Sequence, residues 1–252
     1  MATTGIHLPA EQSCGRQFLK HLKGESIQPH LAIAYLILAI TEVVCEATSW
    51  QTGIHVLKPS LMPLLIGYWL LNAPPSEGSR RPLIAAGLLF SCGGDAAMML
   101  GKFIPGLAAF LIAHLCYIAG FLTGRRVARS SPRLRNGKVI AGSVITASAI
   151  LIFFVLQPHL GDMLVPVALY MACILAMAIS ALDRFGRMPK ASCLLTLSGA
   201  LLFMASDSVI ALHRFVSPMP GHRTIIMSSY LLAQLAIVHG CLLGARAHRG
   251  KE

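Results

Sequence analysis

Four of the ten acidic residues stand inside long apolar stretches: Glu42, Glu46, Asp95 and Asp207. A carboxylate at membrane depth costs at least about 2.5–3.5 kcal/mol, so each one needs a compensating role. Glu42 and Glu46 are four apart and project from one helix face. Glu46 is near enough to the end of its stretch to be read as interfacial, whereas Asp95 and Asp207 lie deeper. His114 and Tyr117 share a face of one apolar segment, Tyr230 and Gln234 share a face of another, and Lys58 stands where it can reach the carboxylates. Two neighbouring desolvated carboxyls can divide the work of acid catalysis, one holding a proton while the other stays ionised opposite developing positive charge. The same groups would serve proton coupling in a small transporter or lipid-binding protein. The bland alternative is packing, since a lone intramembrane Asp is often only a hydrogen-bonder. Metal-dependent hydrolysis would want three closely spaced histidine or carboxylate ligands. The chain has no HxxxH or HExxH, and His213 and His222 are the only raw material near Asp207, so no metal or other cofactor is expected.

The elements that position these residues are set by composition. Of 252 residues, 55% are hydrophobic and 12% charged, with a mean hydropathy of +0.68. A soluble domain carries about 25% charged residues, so this chain cannot clothe a water-facing surface. The reading is an all-α, polytopic membrane protein. Windows of about 20 apolar residues, the length a membrane-crossing helix needs, fall at about 30–49, 59–73, 82–100, 104–124, 139–157, 163–182, 191–212 and 225–244. Pro59 and Pro63 shorten the regular part of the second. The stretches 74–81 and 129–138 read as loops, residues 1–29 as a polar cytoplasmic segment, 30–244 as the membrane domain and 245–252 as a short basic tail. The segment after residue 29 is too long, and with Glu42 and Glu46 too polar, to be a signal peptide. Seven cysteines without a CxxC, six of them in apolar runs, behave as small hydrophobes, not as a disulfide or zinc framework.

The net charge of +11 has no single basic patch with interleaved aromatics, which argues against nucleic acid as a partner. Seventeen of the 21 Lys and Arg residues fall at one end of an eight-span arrangement. Only Lys58, Lys102, Arg214 and Arg223 fall at the other. Positive charge marks the cytoplasmic side, which gives an integral membrane protein, in a bacterial inner membrane, with both termini in the cytoplasm. The intramembrane acids then share the outer half of the bilayer. A weak internal repeat accompanies this: Gly87 precedes Asp95 by eight residues, as Gly199 precedes Asp207, and Ala113-His114 parallels Ala233-Gln234. Two four-helix halves in one orientation, related by an axis along the membrane normal, would produce that pattern.

Five stretches then carry a resemblance. Lys58-Pro59 to Pro63, GLLFSCGGDAAMML (87–100), PGLAAFLIAHLCYIAGF (105–121), GALLFMASDSVIAL (199–212) and YLLAQLAI (230–237) occur in order. Together they resemble the YhhN family, which includes the lysoplasmalogenases. The resemblance implies eight spans and hydrolysis of the vinyl-ether bond of a lysophospholipid, releasing a fatty aldehyde and glycerophospho-ethanolamine or -choline. The polar motif positions it carries over are Lys58, Asp95, His114, Tyr117, Asp207, Tyr230 and Gln234; acid-assisted hydrolysis then reads Asp95 and Asp207 as the catalytic pair, with the other five as the substrate-binding set. Glu42 joins that substrate-binding set by its position on the first span. The partners expected are the lysophospholipid and membrane lipid.

The charge distribution makes a test of its own. Reporter fusions after residue 252 and within 129–138 should both read cytoplasmic, and an external signal from either would overturn the orientation.

Overall fold

The computed structural model describes residues 29–123 and 131–249. Among them are eight helices long and apolar enough to cross a membrane. They are α1 (Pro29–Thr48), α2 (Gln51–Asn72), α3 (Arg80–Met99) and α4 (Phe103–Leu122), then α5 (Pro132–Leu156), α6 (Leu164–Asp183), α7 (Lys190–Ala211) and α8 (His222–Arg249). The segment 1–28, the basic residues Arg125, Arg126 and Arg129, and residues 250–252 lie outside the described residues. Helix ends near residues 29, 72, 80, 122, 132, 183, 190 and 249 form the terminal end of the bundle; the opposite end is called distal below.

Three boundaries differ from the sequence expectation. Helix α2 begins at Gln51, not near 59, and runs through Pro59 and Pro63. A proline inside a helix strands the carbonyl four residues earlier, but membrane helices tolerate this where side chains compensate for the lost backbone bonds. Lys58 therefore sits in the third turn of α2 and does not open it. Helix α5 begins at Pro132, so the expected loop 129–138 is helical from that residue on. Ser131 caps it by accepting the Leu134 amide, and Pro132 takes the first helical position, where its missing N–H costs nothing. Helix α8 continues through Arg249, taking up most of the expected tail at 245–252.

The bundle is tightest at α3–α4 and α7–α8, and glycines set the approach. A Cβ on Gly199 would stand 2.7 Å from the Ala233 carbonyl oxygen, and one on Gly240 would stand 2.8 Å from the Thr196 backbone nitrogen. Gly87 lies beneath the Tyr117 ring, where a Cβ would come within 2.4 Å. Lipid tails are as apolar as leucine, so close backbone packing drives helix association in a membrane. Gly87 and Gly199, the glycines of the weak repeat, are thus both contact residues. The outward faces are aliphatic: Ile33, Ile37, Ile40 and Val44 on α1, and Ile140, Val144, Leu151 and Phe154 on α5, are exposed. Helix α5 packs mainly on α6 and on a π turn, Leu212–Val216, that extends α7.

Filling the α7–α8 seam should be destabilising. Gly199→Val is expected to cost at least about 2 kcal/mol, within the range usual for overpacking. Gly67→Ala, which meets nothing within 4 Å, should be neutral. Thermal denaturation in detergent reads both.

Candidate functional site

The polar residues singled out above lie in the distal half of the bundle, except His114 and Tyr117, which stand at and just past the middle of α4. Asp95, on α3, is buried and accepts a 2.8 Å hydrogen bond from the Tyr230 hydroxyl of α8. Asp207, on α7, accepts a 2.5 Å hydrogen bond from the Tyr170 hydroxyl of α6, and His114 Nε2 of α4 stands 3.9 Å from the same oxygen. Tyr117 of α4 donates to the Gln234 side-chain oxygen of α8 at 2.7 Å. Every one of these bonds crosses between helices.

The two aspartates are joined by rings. Tyr230 packs edge-on against Phe203 at 5.3 Å, and Phe203 against His114 at 4.6 Å, next to Asp207. Each carboxylate is thus bonded by a tyrosine of its own, with the aromatic cluster linking the two positions. His114 is fully buried, and neither ring nitrogen has a hydrogen-bond partner among the described residues. An imidazole held this way by rings is free to bond to a water or a substrate oxygen.

Asp207, Tyr170 and Ser208 are the polar residues in the wall of a mostly apolar cavity with an empty volume of about 670 Å³. Phe110 of α4, Ile152 of α5, Ile174 of α6 and Met204 of α7 contribute to its lining. A carboxyl set in such a cavity can meet an apolar substrate without crossing water. Tyr170 was not singled out from the sequence. The signal was there, because a tyrosine in the middle of VALYMACILA carries a hydroxyl that needs a buried partner.

One expectation changes at the distal end. Glu46 is not an exposed interfacial group: it is 7% exposed and forms an ion pair with Lys58 at 3.4 Å. Lys58, in the third turn of α2, thus answers Glu46, two residues from the end of α1. Glu42 lies one turn deeper on the same buried face of α1, and neither of its oxygens has a hydrogen-bond partner among the described residues. Nearer the terminal end, His239 of α8 is hydrogen-bonded to the Tyr68 hydroxyl of α2 at 3.0 Å. No three His, Cys, Asp or Glu side chains among the described residues are grouped so as to hold a metal ion.

Fold and site together define a multi-pass membrane protein with an acidic, ring-lined site inside its helix bundle. The chain belongs to the YhhN family, whose pattern matches residues 53–241. It is 36% identical over 202 residues to the lysoplasmalogenase of Mycobacterium bovis, covering 77% of this chain and 73% of the relative. To human lysoplasmalogenase TMEM86B it is 32% identical over 209 residues, 82% of this chain and 81% of the relative. Human lysoplasmalogenase TMEM86A is 35% identical over 184 residues, 70% of each chain. No solved structure matches.

The Lys58–Glu46 pair is expected to be worth little as a pair and much when halved. Lys58→Met alone should destabilise the protein by about 3 kcal/mol, because it leaves a buried carboxylate unanswered. The double variant Lys58→Met/Glu46→Leu should recover most of that loss in the same melting assay.

Proposed function

We propose that this protein hydrolyses the vinyl-ether bond of lysoplasmalogens, and that Asp207 is the proton donor. The observation that carries the assignment is the place of Asp207: the one carboxyl, braced by Tyr170, in the wall of a mostly apolar cavity. The alignment over most of the chain with relatives named lysoplasmalogenase supports the same substrate class.

The reaction begins with transfer of the Asp207 proton to the alkenyl carbon remote from oxygen. The C=C electron pair forms the new C–H bond, and the positive charge is shared between the adjacent carbon and the ether oxygen. Water adds to that carbon and loses a proton. The resulting hemiacetal collapses, breaking its bond to the glycerol oxygen, and yields a fatty aldehyde and the freed glycerol hydroxyl. One water is consumed, and the acid is regenerated. His114, beside Asp207 with both nitrogens uncommitted, holds the attacking water in this scheme. Asp95, held by Tyr230, supplies negative charge that favours the cation through a low-dielectric interior, where Coulombic effects reach further than in water. Tyr117 and Gln234 fix the helix carrying Tyr230, and Glu42 and Lys58 belong to the distal approach. The orientation that goes with this reading places the helix ends at the termini in the cytoplasm of a bacterial inner membrane and the acids in the outer leaflet.

Asp207→Asn retains the shape and removes the proton. General acid catalysis is worth about 10²–10⁴-fold, so this variant should lose at least about a hundredfold in aldehyde release from a defined lysoplasmenyl lipid while still folding. Asp95→Asn should also slow the reaction. Because the two act on one transition state, the double variant should be little slower than Asp207→Asn alone. Carbon protonation in the slow step further requires a slower reaction in D₂O once the pH profile is aligned. Near-normal turnover by Asp207→Asn would return that residue to a packing role.

A further inference from the structure

The positive-inside pattern leaves four cations at the distal end, and three of them are found in one place. Lys58, Arg214 and Arg223 line a second cavity, of about 980 Å³ empty volume, together with His213, His222 and Glu46. The fourth, Lys102, is not part of its lining. This mouth shares Met98, Phe103 and Ile210 with the apolar cavity that holds Asp207, so the two spaces are neighbours across one wall. Arg214 lies over the Phe103 ring of that shared wall, 4.0 Å from its centroid.

The π turn makes the arrangement possible. An extra residue per turn, frequent at functional sites in membrane and soluble helices alike, carries the chain from Asp207 round to His213 and Arg214. Its geometry is held by the Met219 backbone. His213 Nδ1 accepts the Met219 amide at 2.9 Å, which places the His213 proton on Nε2 as a donor. His222 Nδ1 is bonded to the Met219 carbonyl at 2.9 Å, and the two imidazoles stack at 3.4 Å. Against three fixed cations stands one carboxylate, Glu46, already engaged by Lys58. The charge left over is positive, and it belongs to the two arginines.

We propose that this mouth is the phosphate subsite of the enzyme: Arg214 and Arg223 bind the phosphodiester of the lysolipid headgroup, while the alkenyl chain enters the apolar cavity beside Asp207. The proposal rests on the hydrolase reading above. A lysolipid is a single chain with one anionic group at its head, and the two adjoining cavities divide in the same way. Arginine suits the task because its planar fork can bond two phosphate oxygens at once.

The test compares two ligands that differ only in the phosphoethanolamine headgroup. In phospholipid-free detergent, KM is measured for a lysoplasmenyl-ethanolamine and for the corresponding 1-alkenylglycerol, in the parent protein and in Arg214→Gln, Arg223→Gln and the double variant. The ratio of the two KM values should shift at least about tenfold against the phospholipid in the double variant, the size of one charged hydrogen bond. Lysine at both positions should restore part of it. Lys102→Gln, a distal cation outside the mouth, should leave the ratio unchanged. Free glycerophosphoethanolamine should compete with the phospholipid substrate in the parent protein but not in the double variant, whereas inorganic phosphate competing equally well would mark a general anion site and overturn the headgroup assignment. Equal effects on both substrates, or none on either, would also overturn it. A binding arm keeps this separate from the activity. Calorimetry with a saturated 1-alkyl lysophosphoethanolamine, which has no vinyl ether to cleave, should show loss of affinity in the double variant only for the phosphate-bearing ligand. If the parent protein cleaves neither vinyl ether, the hydrolase reading fails, and the binding arm still decides the subsite.

Discussion

Everything in this bundle answers to the cost of taking a polar group out of water. In a membrane there is no solvent to satisfy a stray carboxylate, so a partner has to come from another helix. At both aspartates the structure meets that demand with phenols. Tyr230 bonds Asp95, Tyr170 bonds Asp207, Tyr117 bonds Gln234, and Tyr35 bonds the Leu231 carbonyl at 3.0 Å. These four bonds join α3 to α8, α6 to α7, α4 to α8 and α1 to α8. A tyrosine offers an apolar ring to its neighbours and one hydroxyl to a distant acceptor. Each bond thus ties two helices while adding little polar surface. The site and the tertiary fold draw on the same contacts, so a change made for chemistry is also a change in packing.

Close approach is the second condition, since a phenol reaches its partner only if the helices lie near one another. Gly87 admits the Tyr117 ring, and Gly199 admits the backbone of α8 at Ala233. Both glycines stand eight residues before an aspartate. The spacing has a simple consequence: a glycine two turns below the acid brings the neighbouring helix in, and the polar pairs form above the point of closest contact. Among those pairs each aspartate is answered from across the sequence, Asp95 by α8 and Asp207 by α4 and α6. That crossing ties the first four helices to the last four.

Much of this was legible because membrane chemistry makes polar exceptions conspicuous. Asp95, Asp207, His114, Tyr117, Tyr230 and Gln234 stood out as polar residues in apolar runs, and the number and order of spans followed from length and hydropathy. What escaped the sequence was of two kinds. Boundaries at prolines were misjudged: Pro59 and Pro63 look like the start of α2, yet they lie inside it, and Pro132 starts α5 where a basic, polar stretch reads as a loop. Local composition does not say whether side chains or neighbouring helices will compensate a broken backbone bond. The other kind was pairing. Nothing local tells that Tyr170 belongs to Asp207 or that Lys58 belongs to Glu46, because those partners lie 37 and 12 residues apart and meet through packing. The family resemblance drew attention to the acids, but the tyrosine that braces one of them lay outside its motifs.

The division of the distal half into two spaces follows from the same economy. Charge is kept at the end of a bundle at less expense than within it, so cations collect on Lys58 and on the connection between α7 and α8, while neutral donors and the carboxyls of Glu42, Asp95 and Asp207 lie deeper. An amphipathic single-chain lipid has the matching polarity along its length. Its anionic end is stable where the arginines are, and its chain is stable where Ile152, Ile174 and Met204 are. The bond between them is then brought near the junction of the two spaces, whose shared wall contains Phe103 and Ile210 and lies one helical turn from Asp207. Positioning of the scissile bond thus requires no group dedicated to recognising it. On the proposed reading, the gradient of polarity through the bundle aligns the substrate, with the headgroup at the π turn that ends α7 and the acid one turn before it.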